Sequence, residues 1–312
     1  MSTITVMGGG AFGAALAIAL SDRPVNLWMR NPGDTARTRI TARLPNHQLP
    51  ENITVVPEIP TTGTVLLSIP TQELGTVLQN APHLAGTTLV ACCKGIDLKT
   101  GLGPKGLISS VFPSSAAAVL TGPSFANDIA AGLPTALTLA CADTSIGAAL
   151  QRQLSAPKLR LYLSNDTKGA ELGGALKNVI AIACGAAIGA GFGDSARAAI
   201  MTRGFREMVT LGTALGAQSK TFSGLSGLGD LSLTCMSAGS RNFRFGLSLG
   251  LHEPFAEHTT VEGAVTATAA ANLGRDHGLD LPVFSTTASL VTGAISAAQA
   301  LADLLSRPLR KE

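Results

Sequence analysis

One lysine is the single cation in a mostly apolar part of the chain. It is Lys177, in residues 170–185, AELGGALKNVIAIACG, and the next charge downstream is Asp194. An ammonium in such surroundings needs a partner, or desolvation drives it towards the neutral amine. A proton donor and acceptor at a reaction centre uses that tuning. Taken alone, the stretch also fits a core helix whose lysine reaches water along its apolar stem. Asp230 closes an expected glycine-dense loop at residues 223–230, SGLSGLGD. It can cap the helix expected at 231–236, or pair with Lys177 and fix its protonation. Ser240-Arg241-Asn242 sets a hydroxyl, a guanidinium and an amide in succession. That is a cradle suited to phosphate, or else a polar turn between helices.

A second set of residues points to a dinucleotide. Gly8-Gly9-Gly10-Ala11-Phe12-Gly13 follows a β-like run at 3–7 and leads into a strong helix former at 14–20. This is GxGxxG between a strand and a helix. Gly8 permits the tight turn, Gly10 lets a pyrophosphate approach the backbone, and Gly13 lets the helix pack on the strand. The helix N-terminus offers N–H groups and a positive dipole end to phosphate. The next strand, expected at 25–29, ends at Arg30, where an NAD-specific site carries Asp or Glu for the ribose 2′-hydroxyl. An arginine can pair with a 2′-phosphate, which favours NADP or dual use over strict NAD. The turn at 68–72 ends a further strand and faces the expected cofactor crevice. Lys94 follows another strand, placed to meet an anionic or carbonyl substrate or to lie in a solvated loop. Gly122 and Ser124, in Thr121-Gly122-Pro123-Ser124-Phe125-Ala126, form a pocket loop or an ordinary connection after a strand.

The elements that must position these residues divide the chain. Strands are expected at 3–7, 25–29, 53–56, 64–69, 87–92, 116–120, 135–141 and 159–163, with helical patterns between them. Such alternation predicts an α/β domain, a Rossmann-like doubly wound sheet, over residues 1–163. From residue 164 β-rich runs give way to long Ala/Leu segments, so residues 164–312 are expected to form an all-helical substrate and catalytic domain. A helix at 195–215, another opened by Thr259-Thr260-Val261-Glu262-Gly263, a last helical region from Leu281 to near Leu305 and a charged tail at 307–312 complete it.

Bulk properties bound the function. The 312 residues are 14% charged with a formal net charge of +3. The basic residues are scattered, which gives no footprint for nucleic acid or membrane surfaces. Five cysteines without ligand spacing read as buried free thiols in a reducing compartment, hence the cytoplasm. Cys92 and Cys93 lack a nearby base for thiol catalysis, and the five histidines share no metal spacing, so no metal is expected. No signal peptide is expected, and residues 178–193 and 281–302 read as buried helices rather than transmembrane segments.

Taken together, these motifs resemble one family, the bacterial NAD(P)-dependent glycerol-3-phosphate dehydrogenases. The resemblance runs over essentially the full length. It rests on Gly122-Pro123-Ser124-Phe125-Ala126, ELGGALKN at 171–178, residues 191–194 with Thr202-Arg203-Gly204, Gly227-Leu228-Gly229-Asp230, Leu233-Thr234-Cys235 and Ser240-Arg241-Asn242. It implies that Lys177 is the proton donor and acceptor at the substrate C2 oxygen, and that Lys94 touches substrate and cofactor. It further implies that Gly122, Ser124, Asp230, Ser240, Arg241 and Asn242 contact the substrate. Ala126, Arg241, Thr260 and Glu262 would contact NADP or NAD, beside the glycine loop with its Ala11 and Phe12. The implied reaction interconverts dihydroxyacetone phosphate and sn-glycerol 3-phosphate, supplying phospholipid synthesis. A homodimer is expected on separate grounds, since closed homodimers are the commonest soluble oligomer. The chain departs from the family where Ala11-Phe12 replaces a common Ser-Trp, where Cys93 replaces a common Thr before Lys94, and where residues 41–49 are shortened and lack a common tyrosine. Two other readings fit some of the residues: a related Rossmann β-hydroxyacid dehydrogenase, and a nicotinamide-binding regulator without catalysis.

Overall fold

The computed structural model describes residues 3–59, 61–255 and 260–306. The chain folds as two units, Met1–Lys94 with Leu102–Glu171, and Gly95–Gly101 with Leu172–Glu312. The first unit runs β1 (Ile4–Met7), α1 (Ala11–Ala19), β2 (Val25–Trp28), α2 (Thr35–Thr38), β3 (Ile40–Thr41), β4 (Leu44–Gln48), β5 (Ile53–Val56), β6 (Thr64–Leu67), α3 (Thr71–Gln79), β7 (Thr88–Ala91), α4 (Pro104–Val111), β8 (Ala117–Thr121), α5 (Ala126–Ala130), β9 (Thr135–Cys141), α6 (Thr144–Leu154) and β10 (Leu159–Ser164). Eight strands make one sheet in the order β10-β9-β8-β7-β6-β1-β2-β5, and β3 and β4 form a separate antiparallel ribbon.

The strand sequences explain the layering. Successive side chains point to opposite faces, so a strand buried on both sides feeds two cores. Val6, Leu27, Leu66, Val90 and Leu120 join Leu16 of α1 and Leu150 of α6 in one core. Met7, Val65, Leu67, Leu89 and Ala91 join Leu74 of α3 and Leu107 of α4 in the other. Helices therefore cover both faces, as the strand–helix alternation predicts. The last two strands differ from a uniformly parallel sheet. β9 runs antiparallel to β8, and β10 is parallel to β9. The connection from β8 carries only the short α5, and it brings the chain back beside β8 in the opposite sense.

The switch point lies between β1 and β6. From β1 the chain builds outwards through β2 and β5, then returns to place β6 on the other side of β1. Ligands of open α/β sheets bind outside the carboxyl ends of the strands at such a point.

The second unit is helical: α7 (Thr167–Gly189) beyond its first turn, then α8 (Gly193–Ala214), α9 (Ser219–Phe222), α10 (Asp230–Cys235), α11 (Arg241–Leu251), α12 (Glu262–Asp276), α13 (Pro282–Val291) and α14 (Ala297–Leu305). Leu172, Leu176, Val179 and Ile180 of α7 pack with Met208, Phe222 and Phe284, and each such side chain contributes about 1.5–3 kcal/mol when fully buried. Backbone approach between α7 and α11 is reciprocal. A Cβ on Gly185 or Gly189 would overlap carbonyls of α11, and one on Gly246 or Gly250 would overlap carbonyls of α7. Two glycine pairs at four-residue spacing thus let the helices cross in close contact. By length and composition α7 could cross a membrane, but 83% of its apolar window is buried within the fold, which makes it a core helix.

The contact division falls at Glu171, slightly beyond the sequence boundary at 163/164, because the first turn of α7 belongs to the sheet. Ala170 packs on Val119 and Ala140, and the Glu171 carboxylate accepts from the Lys105 backbone N–H at 2.5 Å. Three local expectations are corrected. Residues 225–229 form a π turn rather than a loop. The last helical region is split into α13 and α14, with Gly293 at φ 73° between them. The helix expected to open at Thr259 begins at Glu262. Thr259, His258 and the tail at 307–312 lie outside the described residues.

Candidate functional site

The first unit places the glycine turn at the switch point. Gly8 has φ 124°, and a Cβ there would lie 2.5 Å from the Ser68 carbonyl at the end of β6. Only glycine serves that turn. A Cβ on Gly13 would overlap the Gly8 carbonyl, so α1 packs directly on the turn. At Gly10 nothing lies within 4 Å of a Cβ position, which leaves open space beside the helix N-terminus. Gly10 is the N-cap of α1 and no side chain caps the helix. Open space and uncapped N–H groups together fit a dinucleotide pyrophosphate. Ala11 and Phe12 are half-buried in this first turn, and Arg30 is exposed at the end of β2.

At the end of β8 three expected residues meet. The Gly122 carbonyl accepts from Lys94 Nζ and from Ser124 Oγ, both at 3.2 Å. Gly122 has φ 142°, and a Cβ would press on Leu137 Cα at 3.2 Å, which explains a glycine at the strand exit. Lys94, Ser124 and Ala126 are half-buried. Neighbouring Cys92 is 3% exposed, and burial pushes its thiol up to about 12, so it stays protonated and is no nucleophile near neutral pH.

In the second unit Lys177 pairs with Asp230. Lys177 Nζ lies 2.6 Å from Asp230 Oδ1, and the two side chains are 8% and 1% exposed. Lys177 Nζ also donates to Thr234 Oγ1 at 2.7 Å. Thr234 in turn donates to the Asp230 backbone carbonyl at 2.6 Å, the ordinary geometry of a threonine one helical turn on. Asp230 is the first residue of α10, and Gly229 is the N-cap of that helix. The geometry brings Asp230 and Lys177 together, as one of the two sequence readings of Asp230 expects. The Cys235 thiol lies close by and is held well above its usual range, first by burial and then by Cys184.

The polar run at 240–242 is partly occupied by the fold. Ser240 is the N-cap of α11, and its hydroxyl oxygen accepts from Phe243 N at 3.2 Å, leaving its own proton to donate. Asn242 Nδ2 donates to Asn178 Oδ1 at 2.9 Å, and its Oδ1 accepts from Gly263 N at 3.0 Å. It therefore joins α7, α11 and the start of α12. Arg241 is exposed, Glu262 is half-buried in the first turn of α12, and Thr260 is exposed just before it. Among the described residues, no group of three or more His, Cys, Asp or Glu side chains could hold a metal ion.

Sequence reading missed Thr234 and Asn178 as members of this network. The signal for Thr234 was its spacing of four from Asp230, which puts both on one helix face. Asn178 follows Lys177 directly and carried no signal of its own.

Known proteins match the whole chain. Models of the N-terminal and C-terminal domains of NAD-dependent glycerol-3-phosphate dehydrogenase match residues 3–147 and 166–302. The glycerol-3-phosphate dehydrogenase [NAD(P)+] of Cereibacter sphaeroides is 55% identical over 99% of this chain and 100% of its own length. That of Paracoccus denitrificans is 54% identical with the same coverage. The crystal structure of glycerol-3-phosphate dehydrogenase from Coxiella burnetii superposes with a TM-score of 0.92 at 30% identity, covering 98% of this chain and 99% of its own. With these matches, the glycine turn at a sheet switch point and the helical unit are those of a nicotinamide-dependent dehydrogenase. The chain belongs to the family of NAD(P)-dependent glycerol-3-phosphate dehydrogenases.

Proposed function

We propose that Lys177 carries the proton in the interconversion of dihydroxyacetone phosphate and sn-glycerol 3-phosphate. The observation that supports this reading is the buried contact of Lys177 with Asp230 and Thr234. The nicotinamide cofactor, when bound, gives or takes the hydride at the substrate's C2. Lys177 donates to the C2 oxygen in the reductive direction and takes the proton back in the other, a role worth about 10²–10⁴ in rate. Its charge also steadies the negative oxygen that forms. Asp230 holds the ammonium in place.

The remaining assignments are those the family resemblance implies. The glycine loop with Ala11 and Phe12 holds the cofactor, and Arg30 favours the 2′-phosphate of NADP. Lys94, Gly122 and Ser124 meet the substrate, and Ala126, Thr260 and Glu262 the cofactor. Arg241 and Ser240 anchor the phosphate with the first turn of α11, whose binding energy orients the reacting carbon. Asn242 retains one N–H and one lone pair for the same task. Residues 1–163 serve as the dinucleotide-binding domain and residues 164–312 as the catalytic domain. The enzyme works as a cytoplasmic homodimer and supplies glycerol 3-phosphate to phospholipid synthesis. Five free cysteines suit a reducing compartment, and closed dimers are the commonest soluble assembly.

The test is substrate choice. Dihydroxyacetone phosphate should support NAD(P)H oxidation, while unphosphorylated dihydroxyacetone and short β-keto acids should not. Faster turnover of a β-keto acid would reassign the substrate.

A further inference from the structure

Lys177 and Asp230 stand on different helices, and something must fix their separation. We infer that Gly173 and the π turn at Leu225–Gly229 form a positioning device that sets the distance between Lys177 and Asp230. The inference rests on Lys177 being the proton carrier proposed above.

Gly173 precedes Lys177 by four residues on α7, so the two share a helix face. A Cβ on Gly173 would overlap the Ser226 carbonyl oxygen and lie 3.1 Å from the Ser226 carbonyl carbon and 3.4 Å from Gly227 Cα. The surface of α7 one turn before Lys177 is thus met by backbone, at a separation that only glycine allows. Four residues beyond Ser226 the chain reaches Asp230.

The turn between them has its own geometry. Gly229 N donates to the Gly224 carbonyl at 3.1 Å, a five-residue bond. Such a turn carries one residue more than an α turn. One residue corresponds to about 100° around a helix axis, so an ordinary α turn on the same seat would aim Asp230 away from Lys177. The far side of the turn is fixed as well. A Cβ on Gly227 would overlap the Phe222 carbonyl oxygen and lie 2.5 Å from Phe222 Cα. The Phe222 ring is fully buried, and a Cβ on Gly212 of α8 would lie 2.7 Å from its Cε2. The turn is held between Gly173 on one side and Phe222 on the other. Asp230 then meets Lys177 at 2.6 Å. The titratable groups beside the ammonium include Asp230 and Cys235 of α10, and Cys184 of α7 lies beside Cys235.

The test compares Gly173→Ala, Phe222→Leu, Phe284→Leu and Lys177→Met with wild type. Gly173→Ala pushes the turn from the α7 side, and Phe222→Leu loosens it from below. Phe284→Leu opens a similar gap elsewhere in the same core. For each folded protein the kcat–pH profile of NADPH oxidation with dihydroxyacetone phosphate, the NADPH Kd and the Tm are measured. Gly173→Ala and Phe222→Leu should each lower kcat about tenfold and leave the NADPH Kd within about twofold. A looser Asp230 contact favours the neutral amine, so the alkaline limb of kcat should move about one unit to lower pH. Phe284→Leu should lose a similar Tm and keep the wild-type profile. Should Gly173→Ala not fold, Phe222→Leu decides alone. A wild-type profile in folded Phe222→Leu, or in folded Gly173→Ala, overturns the inference while Lys177→Met remains inactive. Turnover by Lys177→Met would instead overturn the proton-carrier reading, and the inference with it.

Discussion

A buried pair at 2.6 Å with both side chains under 10% exposed makes a specific demand on its members. Removing one partner leaves the other charge uncompensated, which costs about 3–5 kcal/mol in stability. Asp230→Ala is therefore expected to lower the denaturant midpoint and to reduce kcat by about 10² or more, with little change in NADPH affinity. Wild-type stability and kcat in that variant would contradict the pairing's role. Arg30 carries a different expectation. It is exposed, and a charged hydrogen bond to a 2′-phosphate is worth about 1.5–3 kcal/mol, so Arg30→Ala should lower the NADPH/NADH preference in kcat/KM about 10- to 100-fold. An unchanged ratio would remove Arg30 from cofactor selection. Lys177 and the glycines were legible in the sequence because their signals are local: a single cation among mostly apolar residues, and three glycines between a strand and a helix. Thr234 was passed over because its signal, a spacing of four from Asp230, is shared by any helical threonine, and its partner Lys177 lies 57 residues away in the chain.

Elements hold these residues through backbone contacts that composition alone does not reveal. Gly13→Ala would favour α1 as a helix by about 1 kcal/mol, yet its Cβ would overlap the Gly8 carbonyl. The variant should keep its helical circular dichroism and bind NADPH at least about tenfold more weakly, since the helix N-terminus must move off the turn. Undiminished binding would show that this contact does not shape the cofactor site. Glu207 of α8 is the clasp for α13. Its carboxylate oxygens accept from Val283 N at 2.8 Å and from Phe284 N at 3.0 Å, with Asp280 and Arg203 nearby. Burial pushes its carboxyl up from 4.5 to about 7. A raised folded value means that its contribution is fully present below about pH 4.5 and is lost as the pH rises through about 7. That amounts to about 3 kcal/mol at most. Glu207→Gln should flatten the fall of Tm between pH 5 and 8, and parallel curves for the two proteins would contradict this assignment. Strand positions were readable because runs such as TVLL at 64–67 are apolar on both faces. The π turn was not, because its glycine-rich sequence is equally that of a loop, and its shape is imposed by Gly173 and Phe222. The β3–β4 ribbon was missed for a similar reason: LPNHQ in β4 carries no alternation of apolar and polar residues.

At the scale of the whole chain, the family was legible in the order and spacing of several motifs together, none decisive alone. The change from strand–helix alternation to Ala/Leu-rich helices was legible near residue 164, where β10 ends and α7 follows. The segment Gly95–Gly101, which joins the second unit, was not, because a short loop carries no pattern to mark which core it serves. Cofactor binding should stabilise the folded chain by mass action. At about 100 times its Kd, NADPH is expected to add about 2.7 kcal/mol, seen as a rise in Tm that scales with concentration. No rise would count against a preformed dinucleotide site. The central claim is that Lys177 moves the proton in a dihydroxyacetone phosphate reduction, and one measurement addresses it most directly: NADPH oxidation with dihydroxyacetone phosphate by wild type and by Lys177→Ala, with NADPH binding measured alongside. The account predicts turnover by wild type, a loss of about 10²-fold or more in the variant, and equal NADPH affinity in both. Turnover by Lys177→Ala at the wild-type rate would contradict it.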